Sequence, residues 1–170
     1  MTQPKTSEQL FARLTELGIQ HHTVSHRPVF TVEEAKAHRG ALDGTHVKNL
    51  FLRNKKGKMW LVVAPEDLTI DLKQLGRQIG AGRVSFGSAQ RLMDHLGVEP
   101  GAVTPFGLIN DEPQAVQAII DERILDRDPA YFHPLRNDRT TAIAGQDLLA
   151  FLRAGGHEPR LVRLGVEEDS

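Results

Sequence analysis

Cysteine is absent from the 170-residue chain, so disulfide frameworks, thiolate metal sites and cysteine nucleophiles are all excluded. No apolar run approaches the ~18 residues needed to span a bilayer, and Met1 to Leu10 lack the basic-then-apolar order of a secretion signal. A cytoplasmic location without a membrane partner is the expectation. A dominant sign of charge is missing too. The formal net charge is -1, with acidic and basic residues mixed along the chain, so any nucleic-acid contact must be local. There is no GxxxxGK[ST] loop, no GxGxxG after a strand, no HExxH and no GxSxG elbow, which removes support for nucleotide hydrolysis, zinc proteolysis and a serine triad.

What is present is a globular composition, 39% hydrophobic and 25% charged, of a length that suits one domain. No repeat, low-complexity tract or Pro/Gly/Ser-rich linker divides residues 1–170, and only Val166 to Ser170 read as a frayed acidic tail. Thr6 and Gln9 form a capping box ahead of Leu10, Phe11, Leu14 and Leu17, with Gly18 as the stop, and this predicts a helix. Thr31 and Glu34 repeat the signature and predict a short second helix ending near Gly40. Val47 to Arg53 and Met59 to Ala64 read as a hairpin joined by Asn54-Lys55-Lys56-Gly57-Lys58.

Leu72, Leu75 and Ile79 share one helical face, as do Leu92, Met93 and Leu96 before Gly97. Gly97 to Leu108 is dense in Gly and Pro and predicts an irregular, shaped loop. Ala115 to Ile120 is compatible with strand or helix. Further strands are expected at Thr140 to Ala144 and Leu161 to Leu164, with a helix from Asp147 to Leu152 between them. Irregular interleaving of strands and helices around a hairpin gives an α+β class with a mixed sheet.

Lys48 and Asn49 interrupt an otherwise apolar strand, and strand alternation sends their side chains to opposite faces. Lys48 reads either as a solvated strand residue, the commoner outcome for such spacing, or as a phosphate partner. Asn49 reads as a turn-side hydrogen bonder or as a group that orients a substrate carbonyl or hydroxyl. The loop Gly101-Ala102-Val103-Thr104-Pro105-Phe106-Gly107 is either a tight connection or a backbone cradle for an ester carbonyl. His133, in Tyr131-Phe132-His133-Pro134, is either a packed structural imidazole or a pocket wall. Eight histidines show no convincing ligand spacing, so no metal site is expected.

Taken together and in this order, Lys48-Asn49-Leu50-Phe51-Leu52, Trp60-Leu61-Val62-Val63, Asp71-Leu72-Lys73, the Gly101 to Pro105 GxxxP element and Phe132-His133-Pro134-Leu135 resemble the YbaK-like family of aminoacyl-tRNA editing domains. The likeness is greatest to its free-standing prolyl-tRNA editing branch and runs from about Leu10 to Leu164. It implies a mixed, partly barrel-like sheet surrounded by helices, and hydrolysis of a mischarged aminoacyl-tRNA, alanine on the tRNA for proline. It also implies catalytic roles for Lys48, Asn49 and His133, ester binding by Gly101 to Gly107, no metal or organic cofactor, and the acceptor end of a mischarged tRNA as partner, with prolyl-tRNA synthetase a second candidate. Two alternatives remain: another mischarged amino acid, such as cysteine on the same tRNA, or a non-catalytic adaptor. Arg27, Lys55, Lys56 and Lys58 are the cations offered for a light grip on the tRNA body.

Overall fold

A computed structural model describes residues 3–28 and 43–165. The helix expected from Thr31 to Gly40 and the tail from Val166 lie outside the described residues. Helix α1 spans Ser7–Glu16, and both capping-box bonds are present between Thr6 and Gln9. Its Leu10 and Leu14 are fully buried, each worth about 1.5–3 kcal/mol of apolar transfer. Strand β1 is His22–Ser25, and the expected hairpin is β2, Thr45–Asn54, with β3, Met59–Pro65. Helix α2, Leu72–Gln78, starts on the Asp71 side chain, and β4 follows at Val84–Phe86. Helix α3 is Ala89–Leu96, capped by Ser88 and ended by Gly97 in the left-handed region.

The remaining elements are β5, Val116–Asp121; β6, Ala130–Phe132; β7, Arg139–Ile143; helix α4, Gly145–Ala154; and β8, Arg160–Val162. The ambiguous segment near Val116 is thus a strand. The eight strands form one mixed sheet in the order β1-β7-β6-β2-β3-β5-β8, with β4 also on β2. Pairings β2–β6, β3–β5 and β5–β8 are parallel and the others antiparallel. The α+β class with a mixed sheet is therefore what the chain adopts.

Strand β3 is buried on both faces, which explains why Trp60 to Ala64 reads as an unbroken apolar run. Phe51, Leu61 and Val63 face a core shared with Leu10, Leu96, Phe106, Phe132 and Leu148. Leu52, Trp60, Val62 and Ala64 face a second core with Leu75, Ile119 and Leu164. Two expectations need correction. Met93 is 37% exposed, because it sits about 100° around α3 from Leu92 while Leu96 lies one turn on from Leu92 and keeps the buried stripe. The Gly-Pro segment is not irregular: Pro100–Ala102 and Pro105–Asn110 are 3-10 helices, each opening on a proline whose missing N–H is not needed there.

Two buried carboxylates pin the β5 end of the sheet. Asp111 accepts from the Ala115 and Val116 amides and from His157 Nε2 at 2.9 Å, and both side chains of the pair are almost wholly buried. Asp121 accepts from Arg123 and from the Leu164 amide, and Arg123 also reaches the Leu164 carbonyl.

Candidate functional site

Strand β2 carries the first two candidate residues, and its pairing is uneven. On one edge β3 accompanies it from Val47 to Arg53. On the other edge β6 pairs with Thr45 and His46, and β4 pairs with Leu52, Arg53 and Asn54. Among the described residues no strand takes the stretch between. Thr45 donates its amide to Pro129 across this edge, and the Phe51 carbonyl accepts from Gly87 across it. By strand alternation the Asn49 N–H and C=O point the same way, into the gap.

Asn49 stands out for a second reason. Its side-chain oxygen Oδ1 is buried and has no hydrogen-bond partner. A buried polar atom left so costs about 1–3 kcal/mol, and such groups in folded proteins call for an explanation. Asn49 thus offers one donor and two acceptors to whatever enters the gap. Opposite Val63 in register, it lies on the face whose core includes Ala102 and Phe106.

Lys48 pairs with Ala64 and lies on the other face, where its ammonium donates to the Leu68 carbonyl. His133 belongs to that face as well. His46 stacks on Tyr131 with ring centroids 4.8 Å apart, Tyr131 pairs with Ala142, and Thr140 is on the same side of β7. The Thr140 hydroxyl bonds His26 at 2.7 Å, and the His26 ring tilts against His133 at 6.4 Å. Lys48 and His133 therefore each lie one pleat beyond a stacked pair, on one face, at the point where β2 and β6 part.

Because the Arg139 carbonyl can only accept, the 3.0 Å contact fixes the proton of His133 on Nδ1. Its Nε2 is left with a lone pair that no residue takes in the described structure. Burial pushes the His133 imidazole below its ordinary 6.5 and the neighbouring His26 adds to this, while the Arg139 carbonyl works against it. The ring is neutral at pH 7.

The GxxxP loop sits on the Asn49 face and is more committed than a bare cradle. Ala102 donates to Glu99, Phe106 to the Thr104 hydroxyl, and Gly107 to Thr104. Phe106 is fully buried, edge-on to Phe132 at 5.7 Å, and ties the loop to β6, the strand that His133 follows. A Cβ on Gly107 would meet Leu96 at 3.0 Å, so that glycine serves helix packing. Thr104 and Pro105 are buried, whereas Gly101 and Val103 keep partial exposure. Lys48 and His133 thus share one face of the sheet, and Asn49 lies on the other, the face of the loop.

Sequence reasoning missed His26, His46, Tyr131 and Thr140, which orient this corner. Tyr131 and His26 lie on or beside strands of three and four residues, which show no period, and the grouping of all four depends on strand pairings far apart in the chain. The lysines of the β2–β3 turn lie at the far end of β2, roughly 20 Å from Lys48 at about 3.3 Å per residue. No group of three or more His, Asp or Glu side chains among the described residues could hold a metal ion, and no helix among them is long and apolar enough to cross a membrane.

A family model described as aminoacyl-tRNA editing domain matches residues 26–151. The chain is 37% identical over 158 residues to the prolyl-tRNA editing protein ProX of Acetoanaerobium sticklandii, covering 92% of this chain and 96% of that protein. It is 38% identical over 156 residues to prolyl-tRNA synthetase associated domain-containing protein 1 of Mus musculus, covering 89% and 92%. A solved structure proposed to be a trans-editing enzyme for prolyl tRNA synthetase superposes with a TM-score of 0.71 at 22% identity, over 95% of this chain and 99% of that one, a likeness of fold. The chain belongs to the aminoacyl-tRNA editing domain family.

Proposed function

We propose that the protein hydrolyses the ester of a mischarged aminoacyl-tRNA, and that its substrate is alanine on the tRNA for proline. The observation that carries this is Asn49, with a buried unpartnered Oδ1 and a main-chain N–H and C=O that no strand among the described residues takes. An aminoacyl ester presents the matching set: an α-ammonium group that donates and an ester carbonyl that accepts. Held so, the carbonyl carbon sits in the gap of β2, and the main-chain donor opposes the negative charge that builds on its oxygen. The names of the relatives, which refer to prolyl-tRNA editing and to prolyl-tRNA synthetase, support the choice of tRNA.

Lys48, a compact cation on a flexible stem, exchanges the Leu68 carbonyl for a phosphate of the terminal nucleotide. His133 Nε2 accepts from the attacking water or from the free ribose hydroxyl and holds it in line. Water oxygen adds to the carbonyl carbon, the acyl–oxygen bond breaks, and the proton passes to the departing ribose oxygen. The loop from Gly101 to Gly107 shapes the acyl side, with Gly101 and Val103 the members that reach its surface. A space fitted to a methyl group rejects the proline ring by size. That is a stronger filter than a synthetase can apply against the smaller residue, since lost methylenes cost it only about 1–3 kcal/mol.

The test is ester loss from alanyl, cysteinyl and prolyl forms of the tRNA for proline, and from alanine on its own tRNA. Alanine on the tRNA for proline is expected to be released fastest. No acceleration with any of the four overturns the enzyme reading, and preference for cysteine overturns the choice of amino acid. Lys48→Ala should lose about a hundredfold or more in kcat/KM with its melting temperature unchanged; full activity would remove Lys48 from the site.

A further inference from the structure

The β2–β3 turn encloses a feature that the ester chemistry does not use. Lys55, Lys56 and Lys58 from the turn, with Arg83 from the segment before β4, line a cavity of about 610 Å³, within the ~300–1,000 Å³ range of ligand-sized clefts. None of its lining residues is acidic. Elsewhere several arginines are matched: Arg123 with Asp121, Arg136 with Asp138, Arg153 with Glu158 and Arg163 with Glu122. No ion pair engages Lys55, Lys56, Lys58 or Arg83 among the described residues. Four cations gathered around one hollow without counter-ions repel one another, an arrangement that an anion relieves.

The position of the cavity narrows the anion. Trp60, part of its lining, is opposite Leu52 in register and so lies on the same face of β2 as Lys48, at the other end of the strand. Between the two, α2 exposes Lys73 and Arg77, one turn apart, and neither forms an ion pair among the described residues. Roughly 20 Å separates Lys48 from the turn, by about 3.3 Å per residue of strand, a distance that a short unpaired 3′ tail spans. We infer that this groove binds the phosphodiester backbone of double-helical RNA, taking the acceptor stem while the tail runs along α2 to Lys48. The identity of the RNA rests on the proposed function; the phosphate chemistry of the groove does not.

The experiment uses the full chain and an uncharged RNA hairpin that has a duplex stem and a 3′ tail ending in CCA, with the dissociation constant followed by anisotropy at several salt concentrations. Combining Lys55→Gln, Lys56→Gln, Lys58→Gln and Arg83→Gln should weaken binding about tenfold or more at low salt. It should also flatten the dependence of log K on log salt by about three units, since each of the four lost phosphate contacts removes ~0.7–0.9. A control removes the same number of charges at Arg13, Arg127, Arg153 and Arg163 and should leave the slope as it was. An unchanged slope in the groove variant, or equal flattening in the control, overturns the inference. So does unchanged RNA affinity with lost retention of prolyl-tRNA synthetase, which would assign the groove to an acidic protein surface. If the native protein hydrolyses no aminoacyl ester yet the groove variant alone loses the RNA, the proposed function fails and the groove stands.

Discussion

Two regions of the sheet, its β5 end and the gap beside the central strand β2, treat buried polar groups in opposite ways. Around β5, Asp111 and Asp121 are buried to within 1% exposure, and every hydrogen bond they need is made. Around the gap in β2, Asn49 Oδ1 is equally hidden and has none. A fold able to complete the first kind of site has not simply failed at the second. The saturated end holds elements together, and the unsaturated gap leaves an acceptor open.

Breaking the saturated end should give the largest change in stability. Asp111→Ala removes the partner of His157 and of two amides, and should cost about 3–5 kcal/mol in chemical unfolding while activity per folded molecule is retained. A loss below about 1 kcal/mol would show that the clasp is not the fastening it is taken to be. Burial alone would raise the Asp111 pKa, but the bonds from His157 and the Val116 and Ala115 amides outweigh it and hold it below 3.8. Its contribution is therefore complete above that value and is lost as pH falls through the depressed folded pKa.

The unsaturated gap should respond in the reverse sense. Asn49→Leu keeps the side-chain shape and deletes the orphaned oxygen, so the melting temperature should hold or rise, by up to about 1 kcal/mol of stability. Ester hydrolysis should fall by about a hundredfold or more. A variant that is markedly destabilised would mean that Oδ1 is satisfied in the folded protein and that the contrast between the two regions is false.

The smallest effect concerns His133. With its folded pKa below 6.5, the ring stays neutral through physiological pH, so kcat/KM should lose its acid limb only below pH 6.5. The same depression means that His133 lowers stability as pH falls from its unfolded pKa toward the folded one, because the unfolded chain takes up the proton first. His133→Asn should erase that limb. A limb above pH 6.5, or one that survives the substitution, would detach His133 from the reaction.

Local signals were legible wherever the structure needed nothing from afar. The Thr6–Gln9 box and the Asn54 to Lys58 turn each satisfy their hydrogen bonds within a few residues, and each was visible in the chain. Strands β1, β4 and β6 were not, since segments of three or four residues show no period and take their identity from partners far along the chain. Asp111 and His157 are 46 residues apart, and no pattern announces such a pair. At the site, family resemblance supplied Lys48, Asn49 and His133, and alternation already put the first two on opposite faces, but the place of His133 on the Lys48 face and the gap beside Asn49 follow only from the pairing of β2.

The division of β2's outer edge between β6 and β4 also bears on self-association. A continuous open edge invites a strand from another molecule and is a common origin of aggregation. Here the stretch from Val47 to Leu50, which no strand among the described residues takes on that edge, is closed off at each end by a bonded strand. It is too short to seat a foreign strand of the usual five or six residues, roughly the length such pairing takes. An opening of this kind gives a second copy of the protein too little edge to pair with, so among the described residues β2 offers no template for edge-to-edge assembly.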